Sequence, residues 1–145
     1  MIKLLEEGAS APQFDFLASD KPVVVAFFKV SCPVCQMTFP FLDRMSSSGT
    51  HRFVGVSQDH RGATDNFNSR FGVNFPTLLD PENEGYPASN AFGISQVPTA
   101  FLVEPSGKIS WVMEGFSKAQ MNDLGNRVGV APFRPGEYVP EWKAG

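Results

Sequence analysis

Val23 to Phe28 reads VVVAFF, an unbroken apolar run that opens on three β-branched residues. No polar residue alternates into it. It therefore predicts a strand buried on both faces, as in a parallel sheet covered by helices. A strand of that kind needs a layer of structure above it and another below. The only two cysteines follow almost at once, in VSCPVCQMTFP from Val30 to Pro40. Val34, Met37, Phe41 and Met45 then recur at helical spacing, so the Cys32-x-x-Cys35 pair falls where a buried strand gives way to a helix. Pro40 lies inside that helix and is expected to kink it, because it has no N–H for the preceding turn. Ser46-Ser47-Ser48-Gly49 ends it.

Further along, Phe53 to Val56 predicts a second strand with SQDHRG as its exit loop, and Ala63 to Phe71 a helix. Phe75 to Leu79 predicts a short strand, DPENEGYP a loop, and Ala88 to Phe92 a short helix. Thr99 to Val103 and Lys108 to Met113 flank Pro105-Ser106-Gly107 and predict a β-hairpin. Ser117 with Gln120 three residues on fits a capping box for a last helix, with Met121, Leu124 and Val128 on its buried face. Gly125 within it marks close packing, and Gly129 is its stop. The proline-rich APFRPGEYVPEWKAG is expected to be extended and pinned by Phe133, Tyr138 or Trp142, or else loose.

The order is strand, helix, strand, helix, inserted segment, hairpin, helix. It implies an α/β fold: a central mixed sheet with helices on both faces. The 145 residues fit a single domain, with a core over about residues 5–128 and a C-terminal extension over 129–145. A hydrophobic content of 42% with 14 Phe excludes a disordered chain. A net charge of −3 without a run of Lys and Arg excludes a nucleic-acid surface. No apolar stretch approaches the roughly 20 residues of a membrane helix. The start MIKLLEEGAS places Glu6 and Glu7 where a signal peptide carries its apolar stretch, so a cytoplasmic location is expected; separately, a monomer is expected. The alternative is an extracytoplasmic domain lacking its signal or anchor.

At a helix start, backbone N–H groups and the positive end of the helix dipole favour thiolate over thiol. Cys32 is therefore expected to ionise below the free value of about 8.5. Pro33 suits the first turn, and Cys35 lies one turn inside, close enough for a disulfide but more buried. Those positions cast Cys32 as the nucleophile and Cys35 as the resolving thiol of a reversible disulfide, with no other cofactor. Three other readings compete. Two inert core cysteines leave the spacing at a strand-to-helix junction unexplained. A metal site lacks further ligands, since His51 and His60 form no zinc spacing, so no metal is expected. A structural disulfide closes almost no loop and gains only about 2 kcal/mol.

CPVC after VVVAFF, with VPTAFLVEPSGKI some sixty residues later, resembles the thioredoxin superfamily. The opening LLEEGASAPQFDF, the stretch VGVSQD and the FPTLLD insertion resemble its redoxin branch, the thiol-peroxidase and TlpA/ResA-like group. The resemblance covers roughly residues 5 to 128. It implies a thioredoxin-like three-layer sandwich and thiol–disulfide exchange, with reduction favoured, acting on protein disulfides or dithiols with an upstream thiol donor or acceptor. It further implies that Pro98 is cis and faces Cys32, and that Val97 pairs with a substrate chain next to Pro33 and Val34.

The departures from the family pattern bear on proton transfer. Ser31 stands where a tryptophan is common, Ala26 where thioredoxins bury an Asp, and Thr38 where ResA-like reductases carry a Glu. Water, Lys29, Thr38 and His60 are the candidates left for handling the proton of Cys35. Thiol peroxidases of the branch place a proline and a hydroxyl seven and three residues before the reactive cysteine, where this chain has Val25 and Lys29. Peroxidase is thus the second enzymatic reading. A thioredoxin scaffold used for binding, with weak redox activity, is the non-enzymatic one.

Overall fold

The computed structural model describes residues 3–145. Strand β1 spans Val23–Phe28 and is buried along its whole length. It lies at the centre of a five-stranded sheet. On one side it pairs in parallel with β2 (Arg52–Ser57), which pairs in parallel with β3 (Thr77–Leu79). On the other it pairs antiparallel with β4 (Thr99–Val103), which turns back into β5 (Ile109–Glu114). The spatial order is β3-β2-β1-β4-β5, the mixed sheet expected from the element order.

Because side chains alternate across a strand, β1 feeds two cores at once. Val24, Ala26 and Phe28 face a layer formed by α1 (Pro33–Met45), α2 (Arg61–Phe71) and α4 (Lys118–Val128). Phe39, Leu42 and Met45 of α1 and Leu124 of α4 fill that side, and the Phe28 ring meets Phe39 and Phe67 at 4.4 and 4.8 Å between centroids. Val25 and Phe27 face the opposite layer, made by α3 (Pro87–Phe92) and the segment around Phe14, Phe16 and Leu17. Asp80, 1% exposed, is satisfied there by the N–H groups of Ala88 and Ser89, both at 2.8 Å, at the start of α3. No helix among the described residues is long and apolar enough to cross a membrane.

Two local expectations, on the capping box and on the anchors of the extension, are modified. Helix α1 continues through Pro40 as one element. Ser117 caps α4 by accepting from Gln120 N–H, but the Gln120 side chain donates to Val112 O on β5 rather than returning to Ser117. Only half the capping box forms, because a sheet carbonyl takes the amide. In the C-terminal extension, Tyr138 is 91% exposed and Trp142 62%, so neither pins it. Phe133 does so through its ring, 4.9 Å from that of Phe41. Val139 is buried, and Arg44 grips Glu137 with two hydrogen bonds of 2.8 and 3.0 Å. That grip holds the Glu137 carboxyl at about 2, well below the usual range, with the Arg44 hydrogen bond as the main cause. The extension then forms β7 (Trp142–Lys143) against β6 (Phe116–Ser117).

Gly125 shows why the extension turns where it does. A Cβ there would stand 2.6 Å from Pro132 Cδ and 2.9 Å from Val130 O. The glycine lowers helix propensity by about 1 kcal/mol, less than the 1–3 kcal/mol typical of overpacking. Packing therefore decides the residue.

Candidate active site

Both thiols lie just beyond β1, where the chain enters α1. Cys32 is the N-cap of α1, half-buried, with extended backbone; Pro33 takes the first helical turn and is exposed. Cys35 lies one turn in and is fully buried. The Cys35 N–H donates to Cys32 Sγ at 3.1 Å, and the Cys32 thiol donates to Val97 O at 3.4 Å. The Val97–Pro98 peptide is cis. Val97, at the entry to β4, thus stands directly beside Cys32.

The two thiols are driven apart in acidity. Cys32 is lowered to about 6, chiefly by its hydrogen bond with the Cys35 side chain. The N–H groups of Cys35 and Val34 and the charge of Lys29 act the same way, while partial burial opposes them. Cys35 is pushed up, first by burial and then by its hydrogen bond to Cys32. One thiol is an anion near neutral pH and its neighbour holds its proton.

The strand-to-helix loop is fixed from both sides. Val30 N–H donates to Asp59 Oδ2 at 2.8 Å, Gln36 Nε2 donates to Val30 O at 2.9 Å, and Cys32 N–H donates to Lys29 O at 3.2 Å. Sequence reasoning misses Asp59 and Gln36. A usable signal exists for Asp59: in the parallel pair, Phe28 lies opposite Ser57, and Val30 and Asp59 each stand two residues beyond.

The three side-chain candidates for proton handling separate. Lys29 stays with the site through its charge and its backbone. Thr38 is fully buried on α1, and its hydroxyl donates back to Val34 O at 2.6 Å. His60 caps α2, with Nδ1 accepting from Ala63 N–H at 3.2 Å, and it is exposed. It therefore serves the neighbouring helix. Val34, half-buried, packs on the core next to the pair. A polar cleft of about 200 Å³, lined by Lys29, Gln58, Ser95, Gln96 and Val97 among others, adjoins it. Among the described residues, no group of three or more His, Cys, Asp or Glu stands close enough together to hold a metal.

Known proteins share this arrangement of chain and fold. The thiol-disulfide oxidoreductase ResA of Bacillus subtilis (strain 168) is 27% identical over 149 residues, covering 92% of this chain and 79% of that protein. The ResA of Geobacillus thermodenitrificans (strain NG80-2) is 26% identical over 74% of this chain and 69% of its own length. Among solved structures, MTB DsbF, determined in mixed oxidized and reduced forms, superposes with a TM-score of 0.67 at 30% identity, covering 79% of this chain and 83% of that one. A thioredoxin-family thiol:disulfide interchange protein from Chlorobium tepidum TLS shares the fold, with a TM-score of 0.67 at 24% identity over 88% of this chain and 99% of its own. The family model described as AhpC/TSA matches residues 6–112, a span that holds β1, both thiols and the Val97–Pro98 turn, and the chain belongs to that family.

Proposed function

We propose that the chain is a thiol–disulfide oxidoreductase that reduces protein disulfides, with Cys32 as nucleophile and Cys35 as resolving thiol. The observation that carries this is the split between an ionised, half-buried thiol and a fully buried, protonated one a single helical turn away. The Cys32 thiolate attacks one sulfur of the partner disulfide. A mixed disulfide forms and the partner's other sulfur leaves as thiolate. Cys35 then gives up its proton and attacks Cys32 Sγ. The second partner sulfur leaves, and two electrons have passed from the pair to the partner. An upstream thiol donor restores the dithiol. Lys29 is the group whose charge favours the Cys32 thiolate throughout.

Alkylation of each thiol across pH tests the split. Because ionisation of Cys32 is lowered to about 6, its thiolate fraction rises from pH 5 to 7 and is flat above that. Its reaction with iodoacetamide is expected to follow the same curve, with Cys35 unreactive in the folded chain. A midpoint near the free value of about 8.5 would favour the binding-module reading instead.

The direction of exchange is decided by the reduction potential. Dithiol proteins of this fold run from about −270 mV with a nucleophile near pKa 7 to about −120 mV with one near 3.5. A reductase of disulfides belongs toward the reducing end of that range. Equilibration against a glutathione couple checks this, and a potential above about −150 mV would make the chain an oxidant. Peroxide reduction has the AhpC/TSA match in its favour, but Val25 is buried within β1 and Lys29 carries no hydroxyl. Fractionation decides the compartment: recovery outside the cytoplasm supports the extracytoplasmic alternative and recovery inside it the first expectation.

A further inference from the structure

The last residues of the C-terminal extension come back to the nucleophile. Gly145 N–H donates to Gln96 Oε1 at 2.7 Å. A Cβ built on Gly145 would collide with Val97 O and lie 2.8 Å from the Val97 carbonyl carbon. Only a residue without a side chain fits there, and Val97 O is the oxygen that accepts from the Cys32 thiol. One carbonyl therefore touches both the nucleophile and the extension. Lys143 O also approaches Gly115 closely, 2.6 Å from where its Cβ would be.

The extension is held in two parts of unequal strength. Upstream, Val139 is buried and Glu137 is gripped by Arg44. Beyond Pro140 every residue is exposed. That part is tied by the two residue pairs of β6 and β7, by Gly145 on Gln96, by Lys118 N–H on Glu141 O at 3.0 Å and by a 3.7 Å ion pair between Lys118 and Glu141. An exposed ion pair adds little, and exposed backbone pairing of this extent opens at low cost. Residues 141–145 can lift away while Val139 stays seated.

We propose that residues 141–145 are a specificity determinant of the exchange site. They cover the Val97 side of Cys32, so that small disulfides reach the thiolate past them while a protein segment carrying a disulfide has to displace them to lie beside Val97. This rests on the thiol–disulfide reading above and adds the means by which substrates are sorted.

The test compares kcat/KM for insulin, a protein disulfide, with kcat/KM for the small disulfide 5,5′-dithiobis(2-nitrobenzoate). It uses the full chain, a variant lacking residues 141–145, and Gly145→Val, whose side chain forces the segment off Val97. Lifting the segment gives up the equivalent of one or two net hydrogen bonds, so the insulin-to-small-disulfide ratio is expected to rise about tenfold in both variants. An unmoved ratio overturns the proposal. So does a fall, which would make the segment part of the docking surface. If the deletion does not fold, as judged by circular dichroism, Gly145→Val alone decides. A full chain that reduces both disulfides with an unmoved ratio overturns only the proposal; one that reduces neither overturns the exchange reading as well.

Discussion

Cys32→Ser is expected to reduce turnover of insulin disulfides by ~10³-fold or more, to the rate of the uncatalysed thiol background. Serine keeps the N-cap of α1, because its hydroxyl can accept from the residue-35 N–H as Sγ does, so the fold should hold. What disappears is the anion. A hydroxyl near neutral pH supplies no nucleophile comparable to a thiolate lowered to about 6. A thousandfold loss corresponds to about 4 kcal/mol of activation free energy. The measurement is insulin turbidity with dithiothreitol as donor, alongside a thermal melt of the variant. A variant that keeps the wild-type rate would remove Cys32 from the chemistry altogether.

Cys35→Ser should have the opposite appearance: the first step proceeds and the second stalls. The mixed disulfide between Cys32 and substrate then persists. Only external thiol can resolve it, at about millimolar concentration, against effective concentrations that reach ~10⁵ M or more for well-oriented neighbouring groups. Non-reducing electrophoresis after incubation with a disulfide substrate should show a covalent adduct that dithiothreitol releases. Residue 35 is fully buried, and a serine hydroxyl left unpaired there costs about 1–3 kcal/mol. Cys35→Ala is the companion variant if serine destabilises the fold. An absence of adduct from both folded variants would mean that Cys32 is not the entry point.

Much of the fold is legible in the sequence because it is locally encoded. VVVAFF can hardly be anything but a central strand, and the apolar spacing after it marks α1. The hairpin is signalled by Pro105-Ser106-Gly107 between two apolar runs. Strand β3 is shorter than its apolar run suggests, since Phe75 and Pro76 belong to the approach and only Thr77–Leu79 pairs with β2. Other features depend on partners distant in the chain. Asp59 reaches Val30 only because β1 and β2 run parallel in that register. Gln120 abandons the capping box for a carbonyl that only the folded sheet supplies. The pairing of Trp142–Lys143 with Phe116–Ser117 has no local signature at all; the sequence offers Phe133, Tyr138 or Trp142 as anchors, of which Phe133 packs on Phe41 while the other two remain exposed. Thr38 and His60 stand among the sequence candidates for proton transfer, and only side-chain geometry shows each hydrogen-bonded within or at the start of its own helix.

The burial of Cys35 also bears on oxidative wear. A peroxide that reaches the site meets Cys32 first and leaves it as a sulfenic acid. Left alone, that group proceeds to sulfinic acid, which is irreversible for most proteins. Here a protonated thiol waits one helical turn away, shielded from the oxidant by the core. It can condense with the sulfenic acid, expelling water and closing the same disulfide that normal turnover produces. On the proposed reading, damage at Cys32 would thereby return to the exchange cycle, and the thiol proposed to resolve the mixed disulfide would also guard the site against permanent loss.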